Sequence, residues 1–157
     1  MVEPEQTNIE CGENNFKINN YKGEFIKAFV SQTGFQLDSF TSERNIDSLD
    51  VLHSDIQGFE LEMLEGGQSF LSDHRAAYVF ISTHSETLHT SVVEKLGRFG
   101  YRIEISSGFD NHTTSSDGFV LASSPSIEPV FQSFSPLGRL EIAMSSPSDL
   151  ITYISSM

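Results

Sequence analysis

The sequence predicts a single α/β domain, and three observations carry that prediction. Short apolar runs alternate with amphipathic stretches, the pattern of a parallel sheet covered by helices. In "LDVLHSDIQGFELEMLEGG" a buried-looking strand ends on a carboxylate and a glycine just where helical spacing begins. Further on, the connection between "YRIEI" and "GFVLA" is too short for a crossover helix, so those two strands form an antiparallel pair. A length of 157 residues suits one domain with a real core, and 13 Phe supply the bulk.

Taken in order, residues 5–19 read as a polar helix after Pro4, with Ile9 and Phe16 as its main apolar positions. "FIKAFV", residues 25–30, is a candidate strand, and "TSERN", residues 41–45, a loop. Residues 51–56 form the strand that ends near Asp55. Phe59, Leu61, Met63, Leu64, Phe70 and Leu71 line one helix face, which Gly66 and Gly67 interrupt as a kink or an end. "AAYVFIS", residues 76–82, is the most convincing buried strand. Leu88, Val92, Val93, Leu96 and Phe99 mark a helix that stops at Gly100. The domain is expected to span residues 1–124. An extension rich in Ser and Pro fills 125–157, with "GRLEIAM" read as a strand and "SDLITYIS" as a terminal helix.

Nine basic against 22 acidic residues give a net charge of −13. Such a surface argues against nucleic acid or an anionic membrane as partner, and for a small neutral or cationic substrate. The plain alternative is that the acidity serves only solubility. The single cysteine, Cys11, has no internal partner and reads as a minor packing residue. The acidic N-terminus is unlike a signal peptide, and no apolar run approaches the ~20 residues of a membrane span. A cytoplasmic protein is expected.

The order strand, Asp-x-x-Gly, helix, strand, helix, antiparallel pair is that of the second half of a Rossmann-type methyltransferase. "IDSLDVLHSDIQGFELEMLEGG" resembles the signature of FkbM-type methyltransferases, with Asp55, Gly58, Glu60, Leu64 and Gly66 on the pattern. "LDSF" and "GYRIEI" resemble flanking segments of that family. "VEPEQTNIECGENNFKINN" is similar to its second strand and helix, through Glu3, Pro4, Asn8, Asn15 and Asn19. There are departures. Gln57 stands where the family has Glu, His53 where it has Lys, and the loop after "FIKAFV" is short. The first strand and its glycine-rich turn, which should hold the methionine end of the cofactor, have no counterpart. The implied fold is therefore a Rossmann-like methyltransferase sheet, mostly parallel with an antiparallel last strand and truncated at its N-terminus.

The resemblance implies S-adenosylmethionine as cofactor. Glu3, at a strand tip, would accept hydrogen bonds from both ribose hydroxyls, the alternative being an exposed acidic residue at a frayed terminus. Asp55 would face the sulfonium and the substrate hydroxyl, helping to hold the cation and to remove a proton. It can also act as a helix cap. Glu60 sits at a helix start, favourably placed against the dipole, with a substrate-side contact as the other option.

His84 follows "AAYVFIS" and should emerge on the rim that carries Asp55, where the connection bearing His112 and Asp117 also returns. Asp55 and His84 are thus the catalytic candidates, an imidazole being suited to general-base work. Glu3 and Asp55 are the cofactor-side candidates. His53, Gln57, Glu60, His112 and Asp117 are the substrate-side ones. The same rim of His and Asp could hold a divalent metal, although its spacing is not a metal signature. Loop histidines that bind nothing are the plain alternative. The expected reaction is methyl transfer to a hydroxyl oxygen of a small molecule or sugar. The rivals are a non-catalytic remnant or binding module of the same fold, and a metal-dependent hydrolase.

Overall fold

The protein was analysed as a computed structural model that describes residues 1–109, 116–131 and 137–156. The chain opens with a two-residue strand, β1 (Val2–Glu3), and a helix, α1 (Gln6–Ile18). A second short strand, β2 (Ile26–Lys27), lies parallel to β1, with Glu3 opposite Lys27. The expected strand over 25–30 is thus cut to two residues, and Val30 forms only an isolated bridge to Phe35. Ile9 is the one buried side chain of α1, and Cys11 is exposed rather than packed.

The segment expected as a loop at 41–45 is largely helical. α2 (Leu37–Glu43) runs through it, followed by Arg44 as its C-cap. Tertiary contacts override the polar composition. Thr41 is buried and donates its hydroxyl to the Leu37 carbonyl, 2.9 Å away. Arg44 stacks over Phe40 and pairs with Glu24.

The main sheet has four strands, in the order β3 (Leu49–Ser54), β4 (Ala76–Thr83), β6 (Gly118–Ser123), β5 (Arg102–Ser107). β3 and β4 are parallel, and β6 is antiparallel to both β4 and β5. Three strands therefore point one way and only the last opposes them, which is the expected Rossmann-like arrangement.

Between β3 and β4 the chain makes α3 (Glu60–Gly66) and α4 (Gln68–Ser72), which break at Gly67. A Cβ on Gly67 would come within 2.8 Å of Leu37 Cδ2, so glycine lets α2 approach there. Asp38 of α2 binds the first amides of α4, accepting from Ser69 N at 2.9 Å and Phe70 N at 2.8 Å.

α5 (Glu86–Arg98) starts on Ser85, whose hydroxyl accepts from Leu88 N. It ends in a Schellman turn, in which Tyr101 N donates to Leu96 O and Gly100 N to Gly97 O. The core lies between the helices and the sheet: Leu64, Phe70, Leu71, Val79, Ile81, Val92, Leu96 and Val120 are all fully buried.

The C-terminal extension carries two helices, α6 (Arg139–Met144) and α7 (Pro147–Ser155). The first is not the strand expected from "GRLEIAM". A short apolar run is ambiguous between the two states, and here Glu141 reaches back to accept from Gly138 N at 2.8 Å, a helix start. α7 follows the sequence signals, with Ser146 and Asp149 capping reciprocally and Pro147 in the first turn. Neither helix buries a residue. Among the described residues no helix is long and apolar enough to cross a membrane.

Candidate active site

The carboxyl end of β3 continues through Asp55 into a tight turn before α3. Gln57 and Gly58 both have positive φ, at 57° and 103°. For Gly58 this costs nothing, whereas for Gln57 it is a strained conformation that something must hold. The holder is Glu60. Its side chain is 0% exposed, and its Oε1 accepts from Ile56 N at 3.2 Å and Gly58 N at 3.3 Å. Glu60 lies in the first turn of α3, where a carboxylate suits the helix dipole, and it is fully buried there. Among the described residues, Asp55 accepts from Gln57 Nε2 and from no amide of α3, whose N-cap residue is Phe59.

At the carboxyl end of β4, His84 turns into the same space. Its Nε2 lies 3.2 Å from Asp55 Oδ1 and 3.2 Å from Glu60 Oε1, and its Nδ1 lies 3.3 Å from Asp117 Oδ1. Only the Nδ1 contact has hydrogen-bond geometry, with the N–H donating to the carboxylate. Nε2 sits off line from both of its neighbours and is shut off from solvent without a partner. Asp55 and Asp117, each with a side chain 44% exposed, are therefore the members of the group that an outside molecule can reach.

Glu60 Oε2 and Ser54 Oγ are likewise buried and unpartnered. Among the described residues, the buried polar atoms without partners all lie at the carboxyl ends of β3 and β4 or in the first turn of α3. Folded proteins satisfy most such atoms, so their concentration marks this rim as set apart from the rest of the fold.

The other candidates fall as follows. Gln57 donates from Nε2 to Asp55 Oδ1 at 3.4 Å. His53 is exposed on β3, opposite Phe80 in the sheet register. His112 lies outside the described residues.

Glu3 ends β1, and its Oε1 is engaged by its own chain, accepting from Glu5 N at 2.9 Å and Asn8 Nδ2 at 3.2 Å. Phe29, two residues beyond β2, makes an edge contact with Phe59 at 4.7 Å between ring centroids. β2 and β1 run parallel, so this contact brings the Glu3 end of the small sheet towards the Asp55 turn. As for a metal centre, no group of three or more His, Cys, Asp or Glu side chains among the described residues is arranged to hold an ion.

One buried histidine went unnoticed in the sequence. His89 of α5 is hydrogen-bonded to Thr83 Oγ1 at 3.0 Å and to Ser106 Oγ at 2.8 Å. Burial pushes its pKa below the ordinary 6.5, against a weaker upward pull from Glu86. Glu60 and His89 share a signal that could have found them. Each lies on an apolar stripe of its helix, Glu60 with Met63 and Leu64, His89 with Val92 and Leu96.

A mostly parallel sheet with acidic side chains gathered at its carboxyl rim, beside a Gly-containing turn into a helix, defines a Rossmann-like α/β domain with its site at that rim. The comparison with known families agrees: residues 4–103, well over half of the chain, match the methyltransferase FkbM domain. The chain belongs to the FkbM methyltransferase family. No curated protein and no solved structure matches it.

Proposed function

We propose that this methyltransferase domain uses S-adenosylmethionine to methylate a hydroxyl oxygen of a small molecule, a sugar or a secondary metabolite. The observation that carries this reading is the row Asp117, His84, Asp55, in which the imidazole is mostly buried and Asp55 is open to solvent at the turn after β3. The donor set suits the cofactor. Glu3 Oε2 accepts no hydrogen bond among the described residues and can take a ribose hydroxyl. Among the described residues Asp55 has His84 as its only ion-pair partner, and it can face a cation.

When bound, the cofactor supplies a sulfonium methyl group and leaves as a neutral thioether. Asp55 orients the acceptor hydroxyl for in-line approach and takes its proton as the new carbon–oxygen bond forms. His84 stands behind Asp55. Asp117 accepts from its Nδ1–H and so fixes the tautomer, leaving Nε2 facing the carboxylate that gains the proton. The net charge of −13 fits a neutral or cationic acceptor better than a phosphorylated one. A reducing compartment such as the cytoplasm suits the single exposed cysteine.

The test is methyl transfer from radiolabelled S-adenosylmethionine, at millimolar concentration, to a panel of sugars and hydroxylated metabolites. Asp55→Asn should lower turnover by roughly 10²–10⁴-fold with little change in thermal melting. Equal turnover in wild type and variant would remove Asp55 from the chemistry. No turnover on any acceptor, with no binding of cofactor, would favour a non-catalytic binding module.

A further inference from the structure

We propose that Glu60 is a positioning residue, the buried carboxylate that fixes His84 against the Asp55 turn. This rests on the reading above, in which Asp55 and His84 handle the proton. Three observations combine. Glu60 is 0% exposed and its Oε2 has no partner, an expensive way to begin a helix unless the charge has a use. Its Oε1 accepts from Ile56 and Gly58, so it holds the positive-φ turn that follows Asp55. The same oxygen lies 3.2 Å from His84 Nε2, as close as the oxygen of Asp55 does.

The groups that face the imidazole are therefore Asp55 and Glu60 at Nε2 and Asp117 at Nδ1. Asp55 and Asp117 are each 44% exposed, so water screens them. Glu60 is shut off from water. Its carboxyl group lies buried beside Nε2, and the turn it braces sets where Asp55 stands.

Glu60→Gln separates this role from a purely structural one. The glutamine carbonyl can still accept from Ile56 and Gly58 in the same volume, but the charge beside His84 is lost. The measurement is the ring nitrogen spectrum of nitrogen-labelled histidine, with the His84 signals assigned by their loss in His84→Asn. Glu60→Gln should melt near the wild-type temperature and shift the His84 Nε2 signal, while the His74 signals stay in place. Asp55→Asn, at an exposed position, should leave the Nε2 signal near its wild-type value.

The proposal is overturned if Glu60→Gln folds and leaves the His84 Nε2 signal unmoved. It is equally overturned if Asp55→Asn shifts that signal as far as Glu60→Gln does. If Glu60→Gln does not fold, Asp55→Asn decides alone, an unmoved signal supporting the proposal and a shifted one overturning it. Neither measurement uses cofactor or acceptor, so failure to find methyl transfer would leave this result readable by itself.

Discussion

Glu104 shows how one side chain can be held charged inside the fold. Its side chain is 3% exposed, and burial alone would raise its pKa. Hydrogen bonds from Ser123 Oγ, from Arg102 and from the amides of Val130 and Phe131 outweigh that, bringing it from 4.5 to about 2. The folded state thus binds this proton less readily than the unfolded chain. Its contribution to stability is full above pH 4.5 and is lost as pH falls towards 2. Glu104→Gln should cost about 3 kcal/mol at neutral pH, because it leaves Arg102 without its charge partner. Urea denaturation measures this, and the variant should lose less than wild type between about pH 6 and about pH 3. His89 acts in the same direction in a higher window. Above pH 6.5 it is neutral in both states. Below 6.5 the unfolded chain takes up a proton that the buried ring resists, so stability declines. His89→Gln should flatten the change between about pH 7.5 and about pH 5.5. At this scale the rim was legible, since strand direction alone brings Asp55, His84 and Asp117 to one end of the sheet. The burial of Glu60 and His89 was not, because each polar letter reads as solvent-facing until it is placed on its helix stripe.

The elements whose signals are local formed where the sequence put them. α5 carries its N-cap serine, its apolar stripe and its terminal glycine, all decided within a few residues. Its end turns on Gly100, with φ of 84° and no room for a side chain, since a Cβ would lie 2.9 Å from His74 Nε2. His74 in turn donates to the Phe99 carbonyl at 2.8 Å, tying the end of α5 to the turn after α4. Gly100→Ala should therefore destabilise the protein by about 1–3 kcal/mol, read as a lower urea midpoint, whereas Gly97→Ala, with open space around its Cβ, should be neutral or slightly stabilising. α2 and α6 were misread for opposite reasons. α2 is polar in letters and is held by contacts distant in sequence, from Asp38 to α4 and from Arg44 to Glu24. α6 is apolar enough for a strand, but no sheet edge takes it up, and a glutamate bond at its start settles the helix.

At the scale of the whole molecule, the sheet falls into two pieces, β1 with β2 and the four strands that begin with β3. From the missing counterpart of a first strand, the strand of Glu3 and the strand before Asp55 would be expected to close up or to take in another segment between them, and among the described residues they do neither. The segment "RLEIAM", read from the sequence as a strand, is a helix and joins neither piece. Among the described residues nothing pairs with the second edge of β1 or with the outer edge of β3, where Val51 is 54% exposed. Ligands of open α/β sheets bind at the carboxyl ends of adjoining strands, where backbone and side chains from both sides meet. In the proposed function the two sides would contribute separately, Glu3 from one and Asp55 from the other. Among the described residues no glycine-rich turn lies between them to bring backbone amides to the carboxylate end of the cofactor. Glu3 already spends one carboxylate oxygen on Glu5 and Asn8, so it offers a single acceptor to the ribose. The 157-residue chain should therefore bind S-adenosylmethionine more weakly than micromolar. Titration calorimetry on the purified chain checks this, with Glu3→Gln expected to weaken whatever binding remains. A micromolar dissociation constant would show that other residues complete the cofactor site, and the interval between β1 and β3 would be the first place to look for them.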